Sequence, residues 1–445
     1  MHSAAQPRWP VLDGGPAVVT FTGARPWKHD GYRVHLAGRG AALDSVTAGV
    51  VVMESITHDA GDAIALHADR AESQRGRELH DRWATALELP LFVWERADAG
   101  QVSWSTPLAG GVVERGPDGS RLALHSPAPN VRIVFETETG ALRVDGDGRI
   151  HWDCGRQDRL VAVVAAGDDD FERSLDLVAR RTLAGLGRQR VQHAEQLQRG
   201  GTAMRSAGMP TLADAFDWAK IRGDALLGGM LADGAHSEDS TATPWLLAEA
   251  MLAAGLPHLP RALRRRETAA ASAGHADWAS RVSAWTGEAE QGADESVSPA
   301  PPPTGIERPI APELRVPAAE EIASGELGAS GIASFLAGAI GGLWGVRPQA
   351  LDGMLWLAPD AMRLGSSAAL SRLRVGRSVL DVRFRSSAEI VSLAVRRGAG
   401  PAIVTEISVR GVPIAEMLVD GEAVAGSRAR FEVRDAHDVQ FHLSR

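Results

Sequence analysis

Three carboxylate side chains stand close together around position 240 and could act as paired acid–base groups. Glu238 and Asp239 lie in a polar loop, and Glu249 follows shortly afterwards in an apolar stretch. Two carboxyl groups that face each other can protonate a leaving group and activate a water molecule. The alternative is structural: Glu238 and Asp239 would stabilise a helix start through its dipole, and Glu249 would lie on the exposed helix face. The sequence leaves both interpretations open.

Aromatic and imidazole side chains near these acids could contact a ligand. Trp218, Trp245 and His236 are the nearest, and Trp278 and Trp285 follow further along. An indole can pack on the apolar face of a sugar ring, but a tryptophan at helical spacing also suits a protein core. Trp245, Trp218 and His236 are therefore candidate substrate contacts, with core packing as the alternative.

The sequence gives little support for metal binding, serine-hydrolase chemistry or nucleotide binding. The segment 145–148 (DGDG) resembles part of a calcium loop but lacks the rest of the twelve-residue pattern, which favours a hairpin turn. The three aspartates 168–170 precede a helical pattern, which favours an N-cap over a metal site. The sequence has no HExxH, GxSxG, GxGxxG or Walker motif, and Cys154 is its one cysteine. We expect neither a metal nor a cofactor.

Composition and charge limit the classes of binding partner and the cellular compartment that we expect for this protein. The 445 residues carry a net charge of -9, with a pI near 5.9, which argues against nucleic acid and anionic membranes. The longest apolar segment, 331–343, is far short of the roughly 20 residues that span a bilayer. The N-terminus lacks a signal-peptide pattern, and one cysteine allows no intrachain disulfide. We expect a cytoplasmic protein.

Two β regions are predicted, one at each end of the chain. Residues 1–166 contain short alternating or β-branched runs broken by Gly, Asp and Pro, which predict an N-terminal β-sandwich. The predicted strands there include 17–22, 46–53, 63–67, 91–94, 131–135 and 160–164. Residues 346–445 show the same spacing and predict a C-terminal β-sandwich. Its predicted strands are 378–384, 389–395, 403–409, 416–419, 429–433 and 439–443.

A helical region is predicted between these two. At residue 167 the spacing of apolar residues changes from that of a strand to that of a helix. Residues 167–204 therefore predict a linker helix. Residues 205–345 predict a helical domain that is interrupted by a Pro-rich, acidic linker over 287–317. Its last helix, 331–343, has apolar residues at i, i+3, i+4 and i+7. Pro348 forbids its continuation, and the strand 354–357 follows.

Three stretches resemble the glycogen-debranching (amylo-α-1,6-glucosidase-like) six-hairpin glycosidases. The segment 342–359 (GLWGVRPQALDGMLWLAP), with 373–376 and 380–382 behind it, is similar to their joint between the last barrel helix and a C-terminal β-sandwich. The segment 213–220 resembles the helix that begins such barrels, and 242–255 resembles one of their inner helices. The predicted order of domains also matches the layout of that family.

The resemblance implies hydrolysis of an α-glucan or a related oligosaccharide by two carboxylates at one end of an α/α barrel. Aligning the segment 243–251 (TPWLLAEAM) puts Glu249 at the position of the family's acid. Aligning 240–244 instead leaves Thr241 where the family has an aspartate. The resemblance therefore implies Asp239 or Glu249 as general acid, with Glu238 as a further candidate.

The helical region is too short for a complete barrel. Twelve helices with their connections need roughly 190 residues, whereas 205–343 without the Pro-rich linker leaves roughly 110. We therefore predict a multidomain β + α protein with a shortened (α/α) six-hairpin-like domain between the two sandwiches. It is either a glycosidase-like enzyme or a catalytically inactive relative that binds carbohydrate or another protein. Apolar helix faces exposed by the shortening predict a homodimer.

Overall fold

The computed structural model describes residues 11–12, 18–22, 33–39, 42–48, 51–59, 61–66, 70–85, 91–106, 112–116, 118–127, 130–165, 183–233, 242–258, 260, 282–287, 314–323 and 327–444. These residues form several mostly antiparallel sheets and a few helices. The chain divides into two compact units. The first contains residues 1–195, 225–235 and 320–327, and the second contains 196–224, 236–319 and 328–445.

The first unit holds two sheets, whose strands are numbered in chain order. In spatial order, sheet I consists of β1 (Val11–Leu12), β6 (Ala63–Leu66), β7 (Arg70–Arg75), β8 (Glu78–Thr85), β9 (Leu91–Arg96), β16 (Asp158–Ala165), β13 (Asn130–Thr137), β12 (Arg121–Pro127) and β11 (Val112–Arg115). Sheet II consists of β14 (Ala141–Val144), β15 (Ile150–Cys154), β10 (Gly100–Ser105), β5 (Val51–Thr57), β4 (Ala42–Ala48), β3 (Arg33–Arg39) and β2 (Val18–Thr22).

Aromatic side chains join the two sheets of the first unit. Trp94 of sheet I meets Trp152 of sheet II edge to face, with ring centroids 5.9 Å apart. Phe135 of sheet I lies 5.4 Å from Trp104 of sheet II. All four side chains are fully buried, so the sheets pack face to face over an aromatic core.

Two sequence predictions in this unit have opposite outcomes. The single strand predicted over 46–53 is wrong, because that run divides between β4 and β5, which pair antiparallel with Val46 opposite Met53. Both arms of this pair are β-branched, so the alternating pattern runs on through the reversal. The hairpin turn predicted at 145–148 is confirmed between β14 and β15. There the Asp145 carboxylate accepts hydrogen bonds from the backbone N–H groups of Asp147 and Arg149, at 3.0 and 2.9 Å.

The second unit holds two further sheets. Sheet III consists, in spatial order, of β17 (Ala203–Ser206), β20 (Ser367–Val375), β21 (Ser378–Ser386), β22 (Ile390–Ala399), β27 (Ala436–Leu443), β24 (Ile414–Val419) and β25 (Glu422–Val424). Sheet IV consists of β18 (Arg347–Gln349), β19 (Met354–Leu357), β23 (Ile403–Ile407) and β26 (Ala429–Val433), and its β19–β23 pair is parallel. All six C-terminal strands predicted over 378–443 are present; 429–433 coincides with β26, and the other five differ at one or both ends. Alternate residues of β21 and β22 are buried, as the period of a strand requires.

Several helices lie within the described residues. They are α1 (Leu183–Gly200), α2 (Leu212–Asp233), α3 (Ala242–Ala253), α4 (Ala319–Ala323), α5 (Ala329–Ala337), a π-helix (Gly338–Leu343), a 3₁₀ turn (Ala350–Asp352) and α6 (Ala361–Leu364). Most of the predicted linker 287–317, and most of the predicted helical domain between residues 259 and 281, lies outside the described residues. None of the described helices has the length and apolar character that a bilayer crossing requires.

Glycines set two close contacts in the second unit. At Gly223 of α2, an added Cβ would lie 2.6 Å from the sulfur of Met251 in α3 and 3.6 Å from Ile332 in α5, so three helices meet there. Gly345 follows the π-helix with φ at +63°, and a Cβ there would overlap the backbone of Ala358. Only glycine fits that position, where the π-helix passes into sheet IV.

Candidate functional site

The predicted site residues of the loop before α3 lie outside the described part of the chain. These are His236, Glu238 and Asp239. Their roles as substrate contact and catalytic acids therefore stay predictions.

The helix α3 brings two predicted site residues together. Trp245 and Glu249 are four positions apart, which places them on one face of the helix, and both are partly exposed. The opposite face carries Leu247 and Met251, which are fully buried and lie against Gly223. The neighbouring Leu246 is 47% exposed. The helix thus presents an indole and a carboxylate side by side on its more accessible side.

Trp218 has different surroundings. It lies on α2 and is 6% exposed, and Trp285 is 8% exposed. Stacking of a sugar on either ring would require a surface that their burial largely removes, and core packing accounts for their positions. Contact of Trp218 with a substrate stays a prediction.

The buried side chain of Lys220 on α2 has a structural role, because it binds backbone carbonyl groups. Lys220 donates to the carbonyl of Thr202 at 3.0 Å and pairs with Asp217 at 2.8 Å. Arg372 donates to the carbonyls of Gln198 and Gly201, at 2.8 and 2.9 Å. Gln198 lies in the last turn of α1, whose carbonyls have no partner within the helix, and Gly201 and Thr202 follow directly after α1. Burial lowers the pKa of Lys220, and Asp217 opposes that shift.

A second polar cluster, missed by the sequence analysis, is centred on Asp81 in the first unit. Asp81 is fully buried and accepts hydrogen bonds from Trp94 Nε1 at 2.9 Å and from Ser73 Oγ at 3.2 Å. The imidazole of His80 lies 2.7 Å from its Oδ2 through Nδ1, and Arg96 Nε lies 3.5 Å from its Oδ1. A buried polar group is costly unless it is paired, and these partners contact both oxygens of the Asp81 carboxyl group.

A β-bulge places His80 beside Asp81. Along β7 and β8, Ser73 faces Asp81 and Gln74 faces Leu79, so His80 is the extra residue with no partner on β7. Neighbouring residues of a regular strand point to opposite faces, and a bulge removes that alternation. The carbonyl of His80 still accepts a hydrogen bond from Ala97 N at 3.0 Å, which ties the bulge to the end of β9.

The two imidazoles of this cluster differ in their environment. His58 Nδ1 lies 3.7 Å from Asp81 Oδ2, and its ring meets Trp94 edge to face at 5.3 Å. Burial lowers the pKa of His58, and the carboxylate of Asp81 only partly offsets this shift. His80 Nε2 is buried without a hydrogen-bond partner, and Asp98 Oδ2 is 3.8 Å away.

A cleft of about 410 Å³ opens beside His80. Its walls are the β7–β8 hairpin, the end of β9 and the turn between β15 and β16, and it is lined by Arg75, Glu78, Leu79, His80, Ala97, Asp98, Arg156 and Gln157. The N–H of Gln157 donates to the carbonyl of Ala97 at 3.0 Å, which links two of the walls. Arg75 is held by Asp59 at 2.9 Å. In the part of the chain that the structure describes, no three His, Cys, Asp or Glu side chains are placed to share a metal ion.

Asp158 holds the turn that carries Arg156. Its buried carboxylate accepts hydrogen bonds from Gly155 N at 3.2 Å, Thr139 N at 2.9 Å and Thr137 Oγ1 at 2.9 Å. Burial alone would raise the pKa of Asp158, but the hydrogen bonds to the carboxylate outweigh it, and the net shift is downward. The cleft therefore has a rim anchored by a buried anion.

No protein-family model matches this chain, and no curated protein matches it either. Among solved structures, a putative kojibiose phosphorylase from human microbiome is similar with a TM-score of 0.39 and 7% sequence identity, over 92% of this chain and 85% of that one. A GH127 β-L-arabinofuranosidase from Geobacillus stearothermophilus T6 is similar with a TM-score of 0.19 and 13% identity, over 56% of this chain and 44% of that one. The structure thus has a distant resemblance to two carbohydrate-active enzymes. Neither is described as a glycogen-debranching enzyme, and at these TM-scores the resemblance assigns no activity.

Proposed function

We propose that this protein binds, or acts on, an α-glucan or a related oligosaccharide through the accessible face of α3. The observation that carries the proposal is the placement of Trp245 and Glu249 side by side on that face. An indole offers a flat apolar surface to the C–H face of a pyranose, and a carboxylate accepts hydrogen bonds from its hydroxyl groups. The sequence resemblance to debranching glycosidases supports the same class of ligand.

Catalysis requires a second carboxylate facing Glu249 across the glycosidic bond. Asp239 and Glu238 are the proposed partners, since they precede α3 in the sequence. A protein with the ligand-binding face but without this pair would be a non-catalytic relative. The shortened helical domain inferred from the chain length favours that second candidate.

The test uses the full chain with maltooligosaccharides and glycogen limit dextrin, following both glucose release and binding by calorimetry. We expect Trp245→Ala to weaken binding about tenfold or more, since an aromatic contact is lost. Met362→Ala, at a side chain that is 73% exposed on α6, is the matched control and should bind like the wild type. An unchanged affinity of Trp245→Ala would remove α3 from the proposal.

Turnover separates the two candidates. If the wild type releases glucose, Glu249→Gln and Asp239→Asn should each lower the rate at least about 100-fold while leaving binding nearly intact. If the wild type binds glucan without turnover, the protein belongs to the non-catalytic class. Absence of both binding and turnover would contradict the proposed function.

A further inference from the structure

The cleft beside His80 has the construction of a ligand site rather than of a surface irregularity. Its volume of about 410 Å³ lies within the roughly 300–1,000 Å³ typical of small-molecule sites. Hydrogen bonds from Ala97 N to His80 O and from Gln157 N to Ala97 O join its three walls, both at 3.0 Å. A binding site needs such fixed walls, because positions held by backbone pairing cost little to order when a ligand enters.

His80 supplies a fixed polar atom in this cleft. Its Nδ1 lies 2.7 Å from Asp81 Oδ2, which holds the ring in place and leaves Nε2 as the atom nearest the cleft's Asp98. The side chain is 1% exposed, and Nε2 has no hydrogen-bond partner. Buried polar atoms are nearly always hydrogen-bonded, so an unpaired one beside a cleft indicates a place for a polar group of a ligand.

The other residues that line the cleft indicate which class of ligand it can bind. Arg75 and Arg156 are matched in charge by Glu78 and Asp98, and Asp59 already pairs with Arg75. An anionic ligand would therefore meet two carboxylates with only one uncommitted guanidinium. Hydroxyl groups suit this lining better, since each one both donates and accepts. Leu79 and Ala97 add a small apolar surface of the kind that C–H groups of a sugar ring can cover.

We propose that this cleft is a binding site for a neutral sugar residue, in which one ligand hydroxyl hydrogen-bonds to His80 Nε2 and Asp98 and Arg156 bind further hydroxyl groups. Asp98 is 54% exposed, and its Oδ2 lies 3.8 Å from Nε2, so neighbouring hydroxyl groups of one sugar ring can reach the two atoms. The site lies within the first unit and does not use α3, so it is independent of the proposed function at Trp245 and Glu249.

Binding of glucose, maltotriose and glucuronate to the full chain tests the proposal, measured by calorimetry and by the ¹⁵N resonance of His80 Nε2. We expect glucose or maltotriose to bind and to shift that resonance, whereas glucuronate binds more weakly. Equal affinities for glucose and maltotriose would assign a site for one sugar unit, and tighter maltotriose binding would assign a site for an oligosaccharide end. Both results support a neutral-sugar site.

Variants at the exposed rim avoid the folding problem that a change of buried His80 would bring. Asp98→Ala and Arg156→Ala should each weaken sugar binding about tenfold, as expected for a lost charged hydrogen bond. Asp147→Ala, in an exposed turn of the same unit, is the matched control, and Trp245→Ala should leave the His80 resonance shift unchanged. The proposal is overturned if neither sugar moves the His80 signal, if glucuronate binds more tightly than both, or if the rim variants bind like the wild type.

Discussion

Trp94 Nε1 donates a 2.9 Å hydrogen bond to Asp81 Oδ1, and neither side chain reaches solvent. The same indole packs against Trp83 and Trp152, at 6.0 and 5.9 Å between centroids. The polar cluster around Asp81 is therefore built into the aromatic core of the first unit rather than attached to its surface. We therefore expect substitutions in the cluster to change the stability of that core.

Replacing Asp81 by Asn should be strongly destabilising. The change removes the carboxylate that lies 3.5 Å from Arg96, which is 3% exposed, and leaves this buried guanidinium without that charge partner. We expect a loss of about 3–5 kcal/mol in the free energy of unfolding. Guanidinium denaturation followed by tryptophan fluorescence measures it, with Asp147→Asn as a control that should stay within about 0.5 kcal/mol of the wild type. A loss below about 1 kcal/mol would show that the cluster does not depend on this charge.

His58 should make the stability of the first unit fall as the pH is lowered. Burial lowers its pKa in the folded protein, so the unfolded chain binds the proton more readily. Above the unfolded-state pKa of about 6.5, His58 is neutral in both states and leaves the free energy of unfolding unchanged. Below it, His58 lowers the free energy of unfolding by at most about 1.4 kcal/mol per pH unit. Denaturation series from about pH 7.5 to about pH 5.5 should show that the free energy of unfolding depends less steeply on pH in His58→Gln than in the wild type. Equal slopes in the two proteins would rule out His58 as the titrating group.

Lys220 and Arg372 should contribute non-additively to stability. Both donate to the carbonyl of Gln198, at 3.4 and 2.8 Å, so each can partly replace the other. We expect Lys220→Met and Arg372→Met each to cost about 1–3 kcal/mol, because carbonyls at the end of α1 lose a buried donor. The double variant should deviate from the sum by more than about 0.5 kcal/mol. Simple additivity in the double-mutant cycle would mean that the two cations act on separate parts of the unit.

Gly345→Ala should cost more stability than Gly353→Ala, although the two positions share nearly the same backbone angle. Their φ values are +63° and +62°, so left-handed strain is common to both. An added Cβ at Gly353 meets nothing within 4 Å, whereas at Gly345 it overlaps the backbone of Ala358. We expect about 1 kcal/mol for Gly353→Ala and at least about 2 kcal/mol more for Gly345→Ala, measured by thermal unfolding. Equal losses would mean that the chain around Ala358 moves to make room.

Local patterns were enough to predict most of the strands in the C-terminal β region. The predicted strand 429–433 coincides with β26, and Asp420 and Gly421, which are typical turn residues, join β24 to β25. Both turn residues have positive φ, at +53° and +87°, which suits a two-residue hairpin. Alternation and turn residues are properties of neighbouring positions, so a single sequence reveals them.

The cluster around Asp81 could not be predicted in the same way. Its members His58, His80 and Arg96 come from three separate segments, and they meet only through the pairing of β7, β8 and β9 and the packing of the two sheets. The bulge at His80 also breaks the alternation from which a buried position would be inferred. Adjacent His and Asp were the one local signal, and that pair is common on protein surfaces.

The position of β16 has a consequence for synthesis on the ribosome. This strand, the last of the two sheets in chain order, lies in the middle of sheet I, where Leu160 pairs with Trp94 of β9 on one side and with Thr137 of β13 on the other. Until residues 158–165 emerge, the nascent sheet consists of two separate ribbons with open edges. Such edges can pair with other chains, so the growing chain is protected against aggregation through these edges only after this last strand has joined the two ribbons.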